Sequence, residues 1–233
     1  MYYVLHFYED CDKIGTMRRK DDFDFKSYMK ARKKFLSSNK KKSFVILDGE
    51  GKIMLSTPHA VKQVRLGREK FAEPNTLALA LAVRKEANFP LISKTACMDD
   101  DANFDLLCPY RHELKEYILK NNIKYLIDIH SLAEKREQDI NLGVNFGMNI
   151  APDEKFFDFI QNEFSKKGFK VFVDQPFNGG VRTISSFISK ECKIWTMQIE
   201  INSKFLLYEA NTQWLQKIIS TFVDMFEKVN NTK

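Results

Sequence analysis

The stretch KYLIDIHSL, Lys124 to Leu132, decides the fold class of this chain. It is a compact run of Ile and Leu with few polar residues, which predicts a strand buried within a sheet. His130 and Ser131 come where this strand should leave the core. The run therefore predicts a central strand with polar side chains at its exit.

Predicted helices and strands alternate on both sides of this run. Apolar residues recur at helical spacing in four segments, 75–87, 109–123, 154–167 and 211–229. Short apolar runs predict strands in KIWTMQIEIN (193–202), after Gly168, and in SFVILDGEGKIMLSTPH (43–59), where two runs flank a turn. Such alternation predicts a three-layer α/β fold with a mixed, largely parallel central sheet.

Length and charge bound the organisation of the chain. With no repeat and no Pro/Gly/Ser-rich linker, residues 1–233 predict a single domain in which 1–42 is a basic N-terminal appendage. The net charge is +6 and the calculated pI about 9.0, and Lys26 to Lys42 hold eight basic residues and no acid. We expect a solvated helix face there. Nucleic-acid binding is the less favoured alternative, because Tyr28 and Phe35 are its only aromatic residues.

Cysteine spacing and hydropathy point to a cytoplasmic protein without membrane contact. Cys11, Cys97, Cys108 and Cys192 are scattered and form no C-x-x-C pair, so we expect free thiols in a reducing compartment. No window approaches the ~20 apolar residues of a membrane span. The sequence therefore predicts a cytoplasmic location.

Ionisable residues stand at the ends of separate predicted strands. His59, His130 and Glu200 are placed in this way, and the carboxyl ends of neighbouring parallel strands meet at one edge of a sheet. Zinc hydrolases need about three His or carboxylate ligands and a further carboxylate that takes a proton from water. Glu69 and Glu73 are acids just beyond the first histidine, so a metal centre is predicted at this edge.

Four blocks of the sequence carry a resemblance to a known family. They are TPHAVKQVRLGREKFAEPNT (57–76), LIDIHSL (126–132), QPFNGGVRTISSF (175–187) and MQIEINSKFLLYE (197–209). In this order they resemble the blocks of N-formylglutamate amidohydrolase-like proteins, part of the wider group of zinc carboxypeptidase-like and aminoacylase-like hydrolases. The resemblance implies a zinc carboxypeptidase-like, phosphorylase/hydrolase-like fold and one zinc ion per chain.

The resemblance also implies roles for individual residues. His59 and His130 would be the imidazole ligands and Glu73 the acidic ligand, while Asp128, on the strand face of His130, would orient an imidazole. Glu200 would be the general base that takes a proton from the attacking water and returns it to the leaving amine.

The sequence departs from the carboxypeptidase pattern at one position. That pattern has its acidic ligand three residues after the first histidine, where this chain has Lys62. Lysine cannot serve in that role, so the acid must come from Glu73 or, in reserve, Glu69. A two-histidine site with waters, or no zinc site, remains an alternative, and a site of two histidines and a carboxylate also suits iron, manganese or cobalt.

Substrate contacts are expected from the glycine turn and from nearby arginines. Arg182 is the first candidate for a carboxylate or oxyanion clamp, in competition with Arg65 and Arg68. A second group of residues would shape the pocket wall, namely Asn178, Gly179 and Gly180. A plain turn and a surface arginine are the structural alternatives.

Other polar segments receive ordinary interpretations. CMDDDAN (97–103) lacks the spacing of a calcium loop and predicts a solvated acidic loop at the edge of the site, and His6 and His112 predict no function.

These residues together predict a zinc-dependent amidohydrolase that cleaves a C–N amide bond of an N-formyl or N-acyl amino acid or a short peptide. The alternatives are a peptidase of cell-wall peptides, a metal-free binding or regulatory protein on the same fold, and a nucleic-acid-binding protein.

Overall fold

The computed structural model describes residues 24–151 and 153–230. Between residues 25 and 132 the elements are α1 (Phe25–Asn39), β1 (Phe44–Leu47), β2 (Ile53–Thr57), β3 (Gln63–Arg65), β4 (Arg68–Lys70), α2 (Pro74–Ala87), β5 (Leu91–Lys94), α3 (Pro109–Lys120) and β6 (Tyr125–Leu132). They are followed by β7 (Ile140–Gly143), α4 (Glu154–Lys166), β8 (Val171–Val173), α5 (Ile184–Cys192), β9 (Trp195–Asn202), α6 (Lys204–Leu207), a 3₁₀ turn (Glu209–Asn211) and α7 (Thr212–Asn230).

A seven-stranded mixed sheet with the order β1-β5-β2-β6-β9-β7-β8 forms the centre of the fold. The four strands β5, β2, β6 and β9 are parallel to one another. At one edge β1 is antiparallel to β5, and at the other the parallel pair β7–β8 is antiparallel to β9. A separate two-stranded hairpin, β3–β4, follows β2. The predicted three-layer fold with a largely parallel sheet is confirmed.

The two short strands predicted in residues 43–59 do not pair with each other. β5 lies between them, antiparallel to β1 and parallel to β2. The turn that joins them crosses the start of β5: Glu50 N–H donates to Asn88 O at 2.8 Å, and a Cβ on Gly49 would lie 2.3 Å from the same oxygen. β2 therefore pairs in parallel with β5, with α2 as the crossover, and not with β1 across the turn.

Helices cover both faces of the sheet, because strand residues alternate between two apolar clusters. Ile127 and Ile129 of β6 belong to the larger cluster, with residues of α2, α4 and α7, whereas Leu126 belongs to the smaller one, with residues of α3 and α5. β6 and β9 are almost entirely buried, as predicted for KYLIDIHSL. Burial on both faces explains why these strands read as continuous apolar runs.

The basic segment is partly integrated into this core. Helix α1 packs against α2, where Tyr28 is buried and donates a hydrogen bond to Asn75 O at 2.9 Å. Its lysines Lys26, Lys30, Lys33 and Lys34 are exposed. Residues 1–23 of the predicted appendage, with His6 and Cys11, lie outside the described residues.

The described cysteines and helices can be compared with the expectations for a protein without disulfides or membrane spans. Cys97, Cys108 and Cys192 are free thiols, as predicted. Among the helices in residues 24–151 and 153–230, none combines the length and the apolar character that crossing a bilayer requires.

Candidate metal centre

Three side chains from three parts of the fold converge at the carboxyl edge of the parallel strands. His59 stands two residues after β2, Glu73 precedes the first turn of α2, and His130 lies near the end of β6. One ligand atom from each lies within 4.8 Å of the other two. The backbone supports this arrangement, because Glu73 N–H donates to His59 O at 2.7 Å.

The Glu73 carboxylate lies between the two imidazoles. Its Oε1 is 2.9 Å from Nδ1 of His59, and its Oε2 is 3.2 Å from Nδ1 of His130. Ser131 N–H donates to the same Oε2 at 2.9 Å. Burial acts to raise the pKa of Glu73, but the two facing imidazoles outweigh burial and hold this pKa well below its usual range.

Each imidazole turns its second nitrogen to another carboxylate. Nε2 of His59 is 2.8 Å from Asp101 Oδ1, and Nε2 of His130 is 3.0 Å from Asp128 Oδ2. Asp128 is fixed in turn by the Ser56 hydroxyl, which donates to Oδ1 at 2.7 Å. A carboxylate on the distal nitrogen fixes the tautomer and orientation of a ligating histidine. Both Nδ1 atoms therefore face the shared centre.

This donor set suits a divalent transition metal. Two imidazole nitrogens and one carboxylate, with a carboxylate behind each imidazole, are the ligand types of catalytic zinc sites. The imidazoles are buried, with 1% exposure each, and their ring centroids are 4.7 Å apart. Burial opposes a charge on His130, but Asp128 and Glu73 outweigh it and raise its pKa well above the usual value.

Asp101 corrects the prediction of a solvated acidic loop for residues 97–103. This carboxylate is fully buried and lies between His59 and Arg65, whose Nε donates to Oδ2 at 2.7 Å. Burial raises its pKa, but the contacts with His59 and Arg65 reverse the effect and lower it. Asp99, in the same run, is exposed. The sequence carries no spacing signal that separates the buried acid from its exposed neighbour.

Asn103 is a second site residue without a signal in the sequence. Its Nδ2 lies 3.3 Å from His130 Nε2, and its Oδ1 accepts a hydrogen bond from the Ile184 N–H at 2.7 Å. Asn103 N–H also donates to Asp101 Oδ1 at 2.9 Å. The loop after β5 thus contacts both imidazoles and the first turn of α5.

Glu200 lies beside this cluster on β9. It is the register partner of His130 in the parallel β6–β9 pair, and it is 5% exposed. Burial raises the pKa of Glu200 to about 7; His130 opposes this rise and Glu73 adds to it. Gln198 Nε2 donates to its Oε1 at 2.5 Å. A carboxyl group poised near neutral pH can accept and return a proton.

Lys70, the last residue of β4, brings a cation to the cluster. Its Nζ lies 2.9 Å from His59 Nδ1 and 3.5 Å from Glu73 Oε1. The ammonium thus meets the same imidazole nitrogen that faces Glu73. No motif or spacing in the sequence pointed to a role for Lys70.

The reserve ligand and one candidate clamp lie away from the cluster. Glu69 is exposed and forms an ion pair with Lys62, the residue that stands where the carboxypeptidase pattern has its acidic ligand. Arg68 is exposed on β4, opposite Arg65 in the hairpin. Glu73, rather than Glu69, therefore brings its carboxylate to the two histidines.

Arg182 and the glycine turn stand between β8 and α5. The Arg182 guanidinium stacks 4.6 Å from the centroid of the Phe104 ring. Gly179 has φ +66°, and a Cβ there would lie 2.7 Å from Gly143 O. Asn178 Oδ1 accepts from Gly180 N–H at 3.0 Å. Close packing of this turn against β7 by itself accounts for a glycine at position 179.

Comparisons with known proteins agree with this architecture. The N-formylglutamate amidohydrolase family model matches residues 106–207, a range that contains His130, Arg182 and Glu200 but neither His59 nor Glu73. The predicted resemblance to this family is confirmed. No curated protein sequence matches the chain.

Solved structures of hydrolases share the fold at low sequence identity. The chain is similar to an N-formylglutamate amidohydrolase from Ralstonia eutropha JMP134 (16% identity, TM-score 0.58, 82% of this chain and 99% of the other). It is also similar to a bacteriophage poly-gamma-glutamate hydrolase (12%, 0.57, 82% and 91%) and to a succinylglutamate desuccinylase from Chromobacterium violaceum (15%, 0.50, 82% and 68%).

Proposed function

We propose that this protein is a zinc-dependent amidohydrolase that cleaves the C–N amide bond of an N-acyl amino acid of the glutamate type. The observation that carries the proposal is the arrangement of His59, Glu73 and His130, with both Nδ1 atoms facing one carboxylate. The family match and the substrates after which the similar proteins are named support the same reaction class. The free thiols fit a cytoplasmic location.

His59, Glu73 and His130 would hold the metal, with Asp101 and Asp128 orienting the imidazoles. When bound, zinc supplies a Lewis acid that polarises the scissile carbonyl and acidifies water. With only three protein ligands, the site would leave a coordination position for water or substrate, as catalytic sites require.

Glu200 would move the proton. Its raised pKa makes it a base strong enough to accept a proton from water at neutral pH, and the resulting acid can return that proton to the leaving amine. Gln198 holds one carboxylate oxygen, so that the other can face the reacting water. Burial excludes competing bulk water from this oxygen.

Arg182, with Arg65 beside it, would hold a carboxylate of the substrate. A guanidinium binds a carboxylate through two parallel hydrogen bonds, which fixes orientation as well as charge. Arg65 is anchored to Asp101, the carboxylate that contacts His59. Substrate binding and metal binding would therefore share one loop.

The test combines metal analysis with hydrolysis. Wild-type protein, purified without chelator or nickel, should carry about one zinc per chain and release the amine from N-formyl-L-glutamate or N-succinyl-L-glutamate. His59→Ala and His130→Ala should lose both properties. His112→Ala, an exposed histidine on α3, should keep both.

The same experiment separates the alternatives. Absence of bound metal, with no uptake on zinc addition, would refute the hydrolase and favour a binding protein on this fold. Metal binding with cleavage of cell-wall peptides, and not of N-acyl amino acids, would favour the peptidase.

A further inference from the structure

The aromatic ring of Phe104 lies beside two arginine side chains at the candidate metal centre. The guanidinium carbon of Arg65 is 4.9 Å from the ring centroid and that of Arg182 is 4.6 Å from it. Both distances fall within the range of cation–π attraction. Arg65 comes from β3 and Arg182 from the turn before α5, so Phe104 joins cations from two separate segments.

The chain segment that carries this ring is fixed relative to the imidazoles. Asp101, three residues before Phe104, contacts His59. Asn103, directly before Phe104, contacts His130. The backbone is held as well, because buried Arg111 donates from Nε to Ala102 O at 2.7 Å and from Nη2 to the carbonyl oxygen of Arg182. The same guanidinium thus holds both the loop that carries Phe104 and the backbone at Arg182.

The two arginines retain hydrogen-bond donors for a ligand. Arg65 uses Nε for Asp101, and a guanidinium has four further N–H donors. Within the part of the chain that the structure describes, no carboxylate forms an ion pair with Arg182. The two guanidinium carbons can be no farther apart than the sum of their distances to the ring, a span that a small dicarboxylate can bridge.

We propose that Phe104 is a positioning residue for substrate specificity, which holds Arg65 and Arg182 as a pair that binds a ligand with two carboxylates. This inference deepens the proposed function, on which it rests for the place of the reacting bond. A ligand with one carboxylate engages one arginine, whereas a dicarboxylate engages both. The aromatic face orients each guanidinium before the ligand arrives, which reduces the ordering cost of binding.

Calorimetric titration of the zinc-loaded protein with glutarate and with butyrate tests this pairing without requiring turnover. The wild type should bind glutarate at least about tenfold more tightly than butyrate. Phe104→Leu keeps an apolar side chain but removes the π face, and we expect it to weaken glutarate binding about five- to tenfold, with a smaller effect on butyrate. Phe104→Tyr should restore the wild-type ratio.

Two further variants protect the test against a folding defect. Arg182→Gln, at an exposed position, should lower the glutarate-to-butyrate ratio, and its combination with Phe104→Leu should lose less than the two separate effects together. Phe159→Leu is the matched control. The Phe159 ring, on helix α4, lies 5.5 Å from the ammonium of Lys228 on helix α7, and its loss should leave both affinities unchanged.

An unchanged ratio in Phe104→Leu, or a Tyr variant that behaves like Leu, would overturn the inference. Equal binding of glutarate and butyrate by the wild type would do the same. A wild type that prefers glutarate through Phe104 but hydrolyses no N-acyl dicarboxylic amino acid would instead refute the proposed reaction and leave the two-arginine site standing.

Discussion

Glu73 and His130 are fixed to each other through the backbone as well as through their side chains. The Glu73 oxygen that lies 3.2 Å from His130 Nδ1 also accepts a hydrogen bond from the N–H of Ser131 at 2.9 Å. This carboxylate is therefore placed by the end of β6, although it precedes α2. The geometry favours a preformed ligand over a carboxylate recruited by the metal.

Replacing Glu73 by Gln should lower zinc affinity by at least about 100-fold, because the amide keeps the shape but loses the anionic ligand. Chelator competition measures the affinity. The matched control is Glu69→Gln, which removes an exposed acid paired with Lys62 and should retain wild-type affinity. Equal losses in both variants would argue that Glu73 is not a ligand.

Replacing Asp101 by Asn should weaken zinc binding about 10- to 100-fold, since the carboxylate behind His59 would no longer favour the ligating tautomer. Affinity is again measured by competition. Asp99→Asn is an exposed control in the same loop, and Asn tolerates its positive φ of 55°. An Asp101 variant with wild-type affinity would leave this carboxylate a purely structural partner of Arg65.

Replacing Lys70 by Met should strengthen zinc binding about three- to thirtyfold at low ionic strength. The ammonium lies 2.9 Å from His59 Nδ1, so it repels a divalent cation and competes with it for this nitrogen. The gain should shrink as salt rises, because Lys70 is one-third exposed. Lys62→Met, at an exposed ion pair, should show no gain; weaker binding in the Lys70 variant would mean that the lysine supports the metal centre.

Much of the fold could be predicted because its central strands are buried on both faces. β6 and β9 read as largely apolar runs that contain neither Gly nor Pro, and the helices beside them show clear periodicity. Pairing was harder. The turn after β1 has the residues of a local hairpin, but β5, a strand of four residues of which only Leu91 and Ile92 are apolar, separates the two strands. The position of β5 between β1 and β2 depends on tertiary packing, which the local sequence does not specify.

The residues of the candidate site likewise fall into those that the sequence could predict and those that it could not. His59, His130 and Glu200 stand at strand ends, and parallel strands bring such positions to one edge of a sheet. Asp101, Asn103 and Lys70 stand on a loop and a short hairpin, where no periodicity fixes the direction of a side chain. An acid within a run of acids looks solvated in a sequence, and the burial of Asp101 follows from Arg65 and His59, which are distant along the chain.

Glu200 makes a prediction about pH. Burial raises the pKa of this carboxyl to about 7, so the group is protonated below that pH and cannot accept a proton there. If Glu200 is the general base, kcat/KM should rise with pH and level off once the carboxylate is formed. A divalent cation on the neighbouring ligands favours the ionised form, so the midpoint of the rise should lie at or below about pH 7.

The matched variant separates proton transfer from metal binding. Glu200→Gln should lower kcat about 10²- to 10⁴-fold while zinc content remains at the wild-type level, because the amide cannot accept the proton but fills the same space. The residual activity should also lose the rising limb of the profile. A Gln variant that keeps this limb would assign the titration to another group and remove Glu200 from proton transfer, whatever the size of the loss in rate.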